Sequence, residues 1–414
     1  MQNQQNLQVT QDHLFSPGYL QPYLDGFINE LYENGYTELT INNYYSSIAH
    51  FGAWLQKKSI SLKEIGDAIV KKFEKHRCNC LGHRKTRRIS HKYACRVKHF
   101  VLYLFKQKII VPKFYPEKKK VFPFLEEFKK SLHSRGLSIN TITTYESSIY
   151  ILLPLLGYFP ETYNAGKIKQ AICDIAKQRG RCQVKKITTA FRAYLRFLVT
   201  KKACCPDLDT AVPIVANWKL SSLPKYITAN ELERVIVSCD IHTKQGLRDR
   251  AIILLLGRLG LRAGDISNMQ LDDINWIEGT LRVCGKGRRE AILPLPQEIG
   301  DALLAYIKTA RPFVNVKKLF LCLNAPYRPF STSSNISSVV NLALSRAEIK
   351  YPLTCGARLL RHTAATNMLR QGVTLEAVSA VLRHRSLDMT AYYAKVDIPR
   401  LIQIAQPWPE GAPC

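Results

Sequence analysis

An internal repeat constrains this chain more than any other feature. Phe27, Leu31, Gly35, Thr40, Ile41, Tyr44, Ser46, Ser47 and Ile48 recur as Phe128, Leu132, Gly136, Thr141, Ile142, Tyr145, Ser147, Ser148 and Ile149, always 101 residues on. Each copy reads as an amphipathic helix, a turn at Gly35 or Gly136, and a second helix beginning near Thr37 or Ser138. Phe100, Tyr103 and Leu104 then correspond to Phe191, Tyr194 and Leu195, now 91 residues on. Each copy is therefore expected to be a small helical bundle, the first with about ten extra residues.

The proline-rich and basic stretch from Pro112 to Pro123 separates the copies. A second break, from Cys204 to Pro224, contains Pro206, Pro213 and Pro224 and carries no strong period. The expected units are 1–115, 120–205 and 220–414, in keeping with a length of 414 residues.

Charge narrows the partner. Lys and Arg total 60 against 32 for Asp and Glu, a net charge of +28, and such an excess favours a polyanion. No apolar run reaches the roughly 18 residues that span a bilayer. Met1 to Asp12 is rich in Gln and Asn and has no signal-peptide pattern. The 12 cysteines then read as reduced thiols in a cytoplasmic setting.

The positive charge is densest in the first copy. From Lys75 to Pro116 there are 12 Lys or Arg and no acidic residue, interleaved with Tyr93, Phe100, Tyr103 and Phe105. A helix with one basic and one apolar face can lie against DNA while packing on its own domain. Arg84, Lys85, Arg87, Arg88, Lys92 and Arg96 are the candidate DNA contacts. Inside this stretch His76, Cys78, Cys80 and His83 could present two imidazoles and two thiolates to zinc. Cys-x-Cys is tighter than the usual zinc spacing, however, and no second Cys pair follows at finger distance. An unliganded basic loop is the preferred reading, and no metal is assigned.

The last unit carries the chemistry. Thr228-Ala229-Asn230-Glu231 is a capping-box signature before the apolar positions Leu232, Val235 and Ile236. A strongly apolar helix is expected over Arg250 to Leu259, ending at Gly260-Leu261-Arg262-Ala263-Gly264-Asp265. The flanking glycines free the backbone so that Arg262 can project from a helix junction, with Asp265 close enough to orient a guanidinium. Thr280 to Cys284 and Glu290 to Leu295 read as a β-hairpin whose turn carries Lys286 between two glycines. In Arg358-Leu359-Leu360-Arg361-His362-Thr363 the two arginines share a helix face. Together with Arg262 they would suit a phosphate, which guanidinium forks grip better than ammonium does. Finally, His384 precedes Tyr393 by nine residues. A tyrosine hydroxyl attacks phosphorus once cations lower its pKa or a base takes its proton.

The order of these elements resembles the catalytic domain of the tyrosine recombinase (phage integrase) family. Gly260-Leu261-Arg262 fits its first arginine box, Gly285-Lys286-Gly287 its hairpin lysine, Leu360-Arg361-His362-Thr363 its His-x-x-Arg box, and His384 with Tyr393 its last pair. The resemblance covers the chain from Ile227 onward. It implies a mainly α fold with a small β-hairpin or sheet: two helical DNA-binding modules and an α+β catalytic domain. The second copy, which adjoins that domain, best resembles the family's core-binding domain, and the first is then an extra module of the same type. The resemblance further implies site-specific recombination of double-stranded DNA through a 3′-phosphotyrosine link at Tyr393. Arg262 and Arg361, with Arg358, would hold the non-bridging oxygens, Lys286 would protonate the leaving 5′-hydroxyl, and His384 would bond the phosphate or assist proton transfer. Neither ATP nor a divalent ion is implied.

One departure stands out. Where the family usually has the His of His-x-x-Arg, this chain has Arg358, which keeps the charge but cannot act as a base near neutral pH. Two alternatives therefore stay open, a type IB-like topoisomerase and a DNA-binding paralogue without catalysis. The apolar tail around Ile398, Leu401 and Ile404 is expected to dock on a neighbouring protomer in a homo-tetramer assembled on two DNA sites.

The charge gives a first prediction. If the protein neutralises roughly 6–10 phosphates, its affinity for DNA falls about 10³–10⁵-fold between about 50 and 200 mM salt. A nearly flat salt titration would contradict it.

Overall fold

A computed structural model describes residues 16–76, 90–110, 122, 124–216, 223–285, 290–330, 332–350, 356–384, 386–395 and 402. The chain divides into two compact units, one of Tyr115–Ser221 and one of Met1–Phe114 together with Ser222–Cys414. Their hydrophobic residues form separate cores for the first copy, the second copy and the last third.

The first copy comprises α1 (Gln21–Glu33), α2 (Glu38–Lys57), α3 (Asp67–Lys75) and α4 (His91–Lys106). The second comprises α5 (Leu125–Ser134), α6 (Ile139–Leu156), α7 (Ala165–Gln178) and α8 (Arg181–Thr200). The repeat is structural down to single hydrogen bonds. α1 and α5 end in the same turn, with Gly35 at φ +79° and Gly136 at φ +76°. In each, the amide two residues past the helix bonds a carbonyl five residues back, Tyr36 to Leu31 at 3.1 Å and Leu137 to Leu132 at 3.2 Å. This motif needs a left-handed residue, which glycine adopts without a Cβ penalty. Thr37 and Ser138 hold the N-cap positions of α2 and α6. Ten residues beyond each N-cap, the buried Ser47 and Ser148 hydroxyls donate back to the carbonyls of Asn43 and Thr144, both at 2.7 Å. The paired apolar positions Phe27 and Phe128, Ile48 and Ile149, Phe100 and Phe191 are buried in their respective cores.

The last third runs α9 (Ala229–Val237), α10 (Lys244–Gly257), α11 (Ala263–Asn268), β1 (Ile274–Asn275), β2 (Thr280–Cys284), β3 (Glu290–Pro294), α12 (Gln297–Ala305), α13 (Ser333–Arg346), α14 (Gly356–Arg370), α15 (Leu375–Leu382) and α16 (Asp388–Ala394). The strands form an antiparallel sheet in the order β1-β2-β3, with Thr280 opposite Pro294 and Cys284 opposite Glu290. The capping box forms as the sequence predicts: Thr228 N–H donates to Glu231 at 2.7 Å, and Glu231 N–H to the Thr228 hydroxyl at 3.2 Å. α10 is buried on all sides from Ala251 to Leu256, which makes it the axis of this core. It begins earlier than the expected Arg250. Thr243 caps it by accepting Gly246 N–H at 3.0 Å, and Arg248 pairs with Asp249 at 2.8 Å inside the fold. These two charges are thus buried by pairing with each other. No helix among the described residues is long and apolar enough to cross a membrane.

The turn at Gly136 offers a clean test of the repeat. A Cβ there would meet nothing within 4 Å, so only the backbone conformation opposes it. Gly136→Ala should cost about 1–2 kcal/mol, read as a lower urea midpoint. An unchanged midpoint would show that the left-handed turn does not form.

Candidate active site

The site is assembled where α10 ends. Gly260 has φ +61°, and a Cβ there would stand 2.5 Å from Leu382 Cδ2 and 3.4 Å from Ala364 Cβ. Glycine therefore serves both the backbone angle and the close approach of α14 and α15. The next residues place Arg262 at the N-cap of α11 in extended conformation.

Arg361 lies on the inner face of α14 and is only 7% exposed. Its guanidinium donates to the carbonyls of Gly260 and Leu382, the latter at 2.5 Å. Burial, with Arg262 adding to it, pulls its pKa down to about 10, which leaves it charged at neutral pH. Arg262 Nη2 donates to the carbonyl of Arg383 at 3.0 Å.

Asp265 orients a guanidinium, that of Arg383. Its carboxylate accepts the Arg262 main-chain N–H at 3.2 Å and forms a buried ion pair with Arg383. Arg383 was not foreseen. It ends α15 at φ +54°, a place where glycine is the usual cue, so nothing in the sequence marked it.

Tyr393, on α16, is 4% exposed and packs with Ala365, Leu369, Val378 and Leu382. Three aromatic side chains surround its ring. His384 is parallel to it at 6.0 Å between centroids, His362 is perpendicular at 5.4 Å, and Tyr392 lies at 5.6 Å. Burial raises the Tyr393 pKa, while Arg361, Arg358 and Arg262 oppose that rise. His384 bonds Thr390 through Nδ1 at 2.8 Å. Both imidazoles are held neutral: burial, then nearby arginines, pushes His362 and His384 down to about 4.

The structure brings Arg262, Arg361, His384 and Tyr393 near one another. Arg358 is exposed on α14 and reaches the group through its charge on His362 and Tyr393. His362, which directly follows Arg361, was quoted only as part of a motif, yet it contacts both tyrosine rings.

Several candidates fall elsewhere. Lys286 lies outside the described residues, although β2 and β3 on either side are in place. Arg84, Lys85, Arg87, Arg88, Cys78, Cys80, His83 and the tail at Ile398, Leu401 and Ile404 are also outside them. Lys92 is exposed on α4, while Arg96 donates to the Ser47 hydroxyl at 3.4 Å. His76 stacks on Phe73 at 4.9 Å and bonds that residue's carbonyl at 2.6 Å. Among the described residues no group of three or more His, Cys, Asp or Glu could hold a metal.

Comparison with known proteins places this geometry. The sequence profile of the Phage integrase family matches residues 225–399, and that of the Phage integrase SAM-like domain matches residues 20–121. An integrase/recombinase of Sinorhizobium fredii, y4rA, is 34% identical over 94% of this chain and 95% of its own. The tyrosine recombinase XerD of Listeria monocytogenes is 26% identical over 64% of this chain and 91% of its own. The crystal structure of a lambda integrase tetramer bound to a Holliday junction shares the fold. Its TM-score is 0.51 with 17% identity, covering 75% of this chain and 92% of that one. The chain belongs to the phage integrase family, and its enzyme class is the tyrosine-type site-specific recombinase. The SAM-like match falls on the first copy, the one the sequence reading treats as the extra module.

The two neutral histidines make stability depend on pH. Their folded pKa values, about 4, lie below the ordinary 6.5, so the unfolded chain binds more protons between those limits. Their contribution is complete above about 6.5 and is lost as pH falls towards about 4. The urea midpoint should drop through that window, and His362→Asn should flatten the drop. An unchanged slope in the variant would contradict the burial of a neutral His362.

Proposed function

We propose that this enzyme recombines double-stranded DNA by cleaving and rejoining strands through a 3′-phosphotyrosine bond at Tyr393. It would integrate, excise or transpose a DNA segment. The observation that carries the assignment is the burial of Tyr393 between His384 and His362, where burial raises its pKa and Arg361, Arg358 and Arg262 oppose the rise. A phenol is a poor nucleophile while protonated, and cations that favour the phenolate also favour the extra charge on a five-coordinate phosphorus.

In the cleavage step Tyr393 gives up its proton to water, its oxygen bonds to phosphorus and the bond to the 5′-oxygen breaks in line. Arg262 and Arg361 hold the non-bridging oxygens, with Arg358 adding charge from the exposed side of α14. Lys286 gives the leaving oxygen its proton. His384, neutral and held by Thr390, donates a hydrogen bond to the phosphate. The ester keeps the energy of the broken bond, so rejoining requires no ATP. The guanidinium charges do the work a divalent ion does elsewhere, so cleavage should persist in EDTA.

Separate cores in the first copy, the second copy and the last third, the last with a smaller cluster around Tyr393, support three modules: a helical DNA-binding module over 1–115, a core-binding domain over 120–205 and the catalytic domain over 220–414. Four protomers acting on two DNA sites, in the cytoplasm, complete the reading. The DNA-bound tetramer of lambda integrase supports that stoichiometry by analogy of fold.

Two adjacent tyrosines make the test sharp. Neighbours on a helix point about 100° apart, so one environment cannot serve both. Tyr393 is buried against the arginine cluster, whereas Tyr392 is half-buried beside it. With a nicked suicide substrate, Tyr393→Phe should form no covalent adduct on a denaturing gel while still retarding DNA. Tyr392→Phe should keep the adduct. An adduct mapped to Tyr392, or loss of cleavage in EDTA that magnesium restores, would overturn the mechanism. Relaxed circles without recombinant product would point to a topoisomerase instead.

A further inference from the structure

Three contacts near the site close into a ring. The main-chain N–H of Arg262 donates to Asp265 at 3.2 Å. The same Asp265 oxygen pairs with Arg383 Nη2. The carbonyl of Arg383 in turn accepts from Arg262 Nη2 at 3.0 Å. The ring joins the start of α11 to the end of α15, and it fixes both the backbone and one guanidinium nitrogen of Arg262.

We propose that Arg383 is a positioning residue for strand cleavage, which aims Arg262 and His384 at the scissile phosphate without touching DNA. This rests on the reading of Tyr393 as nucleophile and Arg262 as phosphate ligand. Four observations carry it. The Arg383 and Asp265 side chains are only 12% and 5% exposed, so their attraction is little screened by solvent. Arg383 adopts φ +54° at a helix end where a side chain is disfavoured, so something other than local backbone preference keeps an arginine there. Its Nε and Nη1 are buried and have no hydrogen-bond partner among the described residues, an arrangement unfavourable to folding and therefore in need of another explanation. The next residue is His384, whose ring lies parallel to that of Tyr393, so the same brace sets the second phosphate-facing group.

The Arg383 guanidinium is committed to Asp265 through Nη2. Its effect passes through Arg262, and this makes it separable from a general loss of structure. Arg262 matters because the phosphate is charged. A methylphosphonate at the scissile position is neutral and gives Arg262 less to neutralise. Damage that acts through Arg262 must then shrink on that substrate, whereas damage to the fold must not.

The test uses the full chain and Arg383→Gly, which suits the left-handed backbone and removes only the guanidinium. Single-turnover cleavage of a phosphodiester suicide substrate should fall about 10²-fold, the scale expected for a misaimed catalytic group. DNA retardation should stay near that of the parent. On the methylphosphonate the deficit should shrink to less than about tenfold. Arg383→Lys keeps the charge beside Asp265 and should recover part of the rate. Cleavage by Arg383→Gly at the parent rate would overturn the proposal. So would an equal deficit on both substrates, or a lysine variant as slow as the glycine one. If the parent itself forms no adduct at Tyr393, the underlying reading fails instead.

Discussion

The site depends on one buried cation. Arg361 is folded into the interior at 7% exposure, where an isolated charge is strongly disfavoured. Two carbonyls make it tolerable, Gly260 three residues past α10 and Leu382 at the last residue of α15. Helix ends leave carbonyls without intrahelical partners, so the α15 terminus needs a donor as much as the guanidinium needs acceptors. One side chain thereby fixes the meeting of α10, α14 and α15. Gly260 is the geometric condition for that meeting, because any side chain there would strike Leu382.

Around this cation the protein gathers like charges and keeps its bases neutral. Arg262 and Arg383 lie near enough to lower the pKa of Arg361, and arginines depress both His362 and His384. Such an arrangement is unfavourable in the empty protein and becomes favourable when an anion enters. Electrostatic strain of this kind serves binding of a phosphate whose charge grows during reaction. It also answers the loss of the family's histidine at Arg358. Positive charge at that position is retained, and two neutral imidazoles remain beside Tyr393 one turn or one helix away.

How much of this was legible in the sequence follows from the kind of interaction involved. The turns at Gly35 and Gly136, the cap at Thr228 and the β2–β3 hairpin depend on local chemistry, and they form where the residues indicate. Arg262, Arg361, His384 and Tyr393 stand in motifs whose order is itself the signal. The start of α10 was misjudged because Arg248 and Asp249 neutralise each other inside the fold, a pairing that periodicity cannot show. Which guanidinium Asp265 orients was hidden for a similar reason. Its partner Arg383 lies 118 residues away and occupies a backbone conformation that its side chain does not advertise.

The repeat bears on how the enzyme grips DNA. The two bundles share their turn, their cap position and a buried serine that bonds one turn back, yet their surfaces have diverged. The SAM-like match falls on the first copy, and the long acid-free basic run of the chain begins at the end of α3 in that same copy. Shared internal positions maintain the same scaffold, while unshared external ones are free to meet different stretches of duplex. Two similar bundles ahead of one catalytic domain would lengthen the contacted DNA without requiring new chemistry. Sequence discrimination grows with the number of base edges read, whereas the phosphate contacts supplied by lysine and arginine fix register and affinity. If the proposed modules hold, the basic first copy would contribute mainly affinity and placement, and the choice of the scissile phosphate would stay with the junction of α10, α14 and α15.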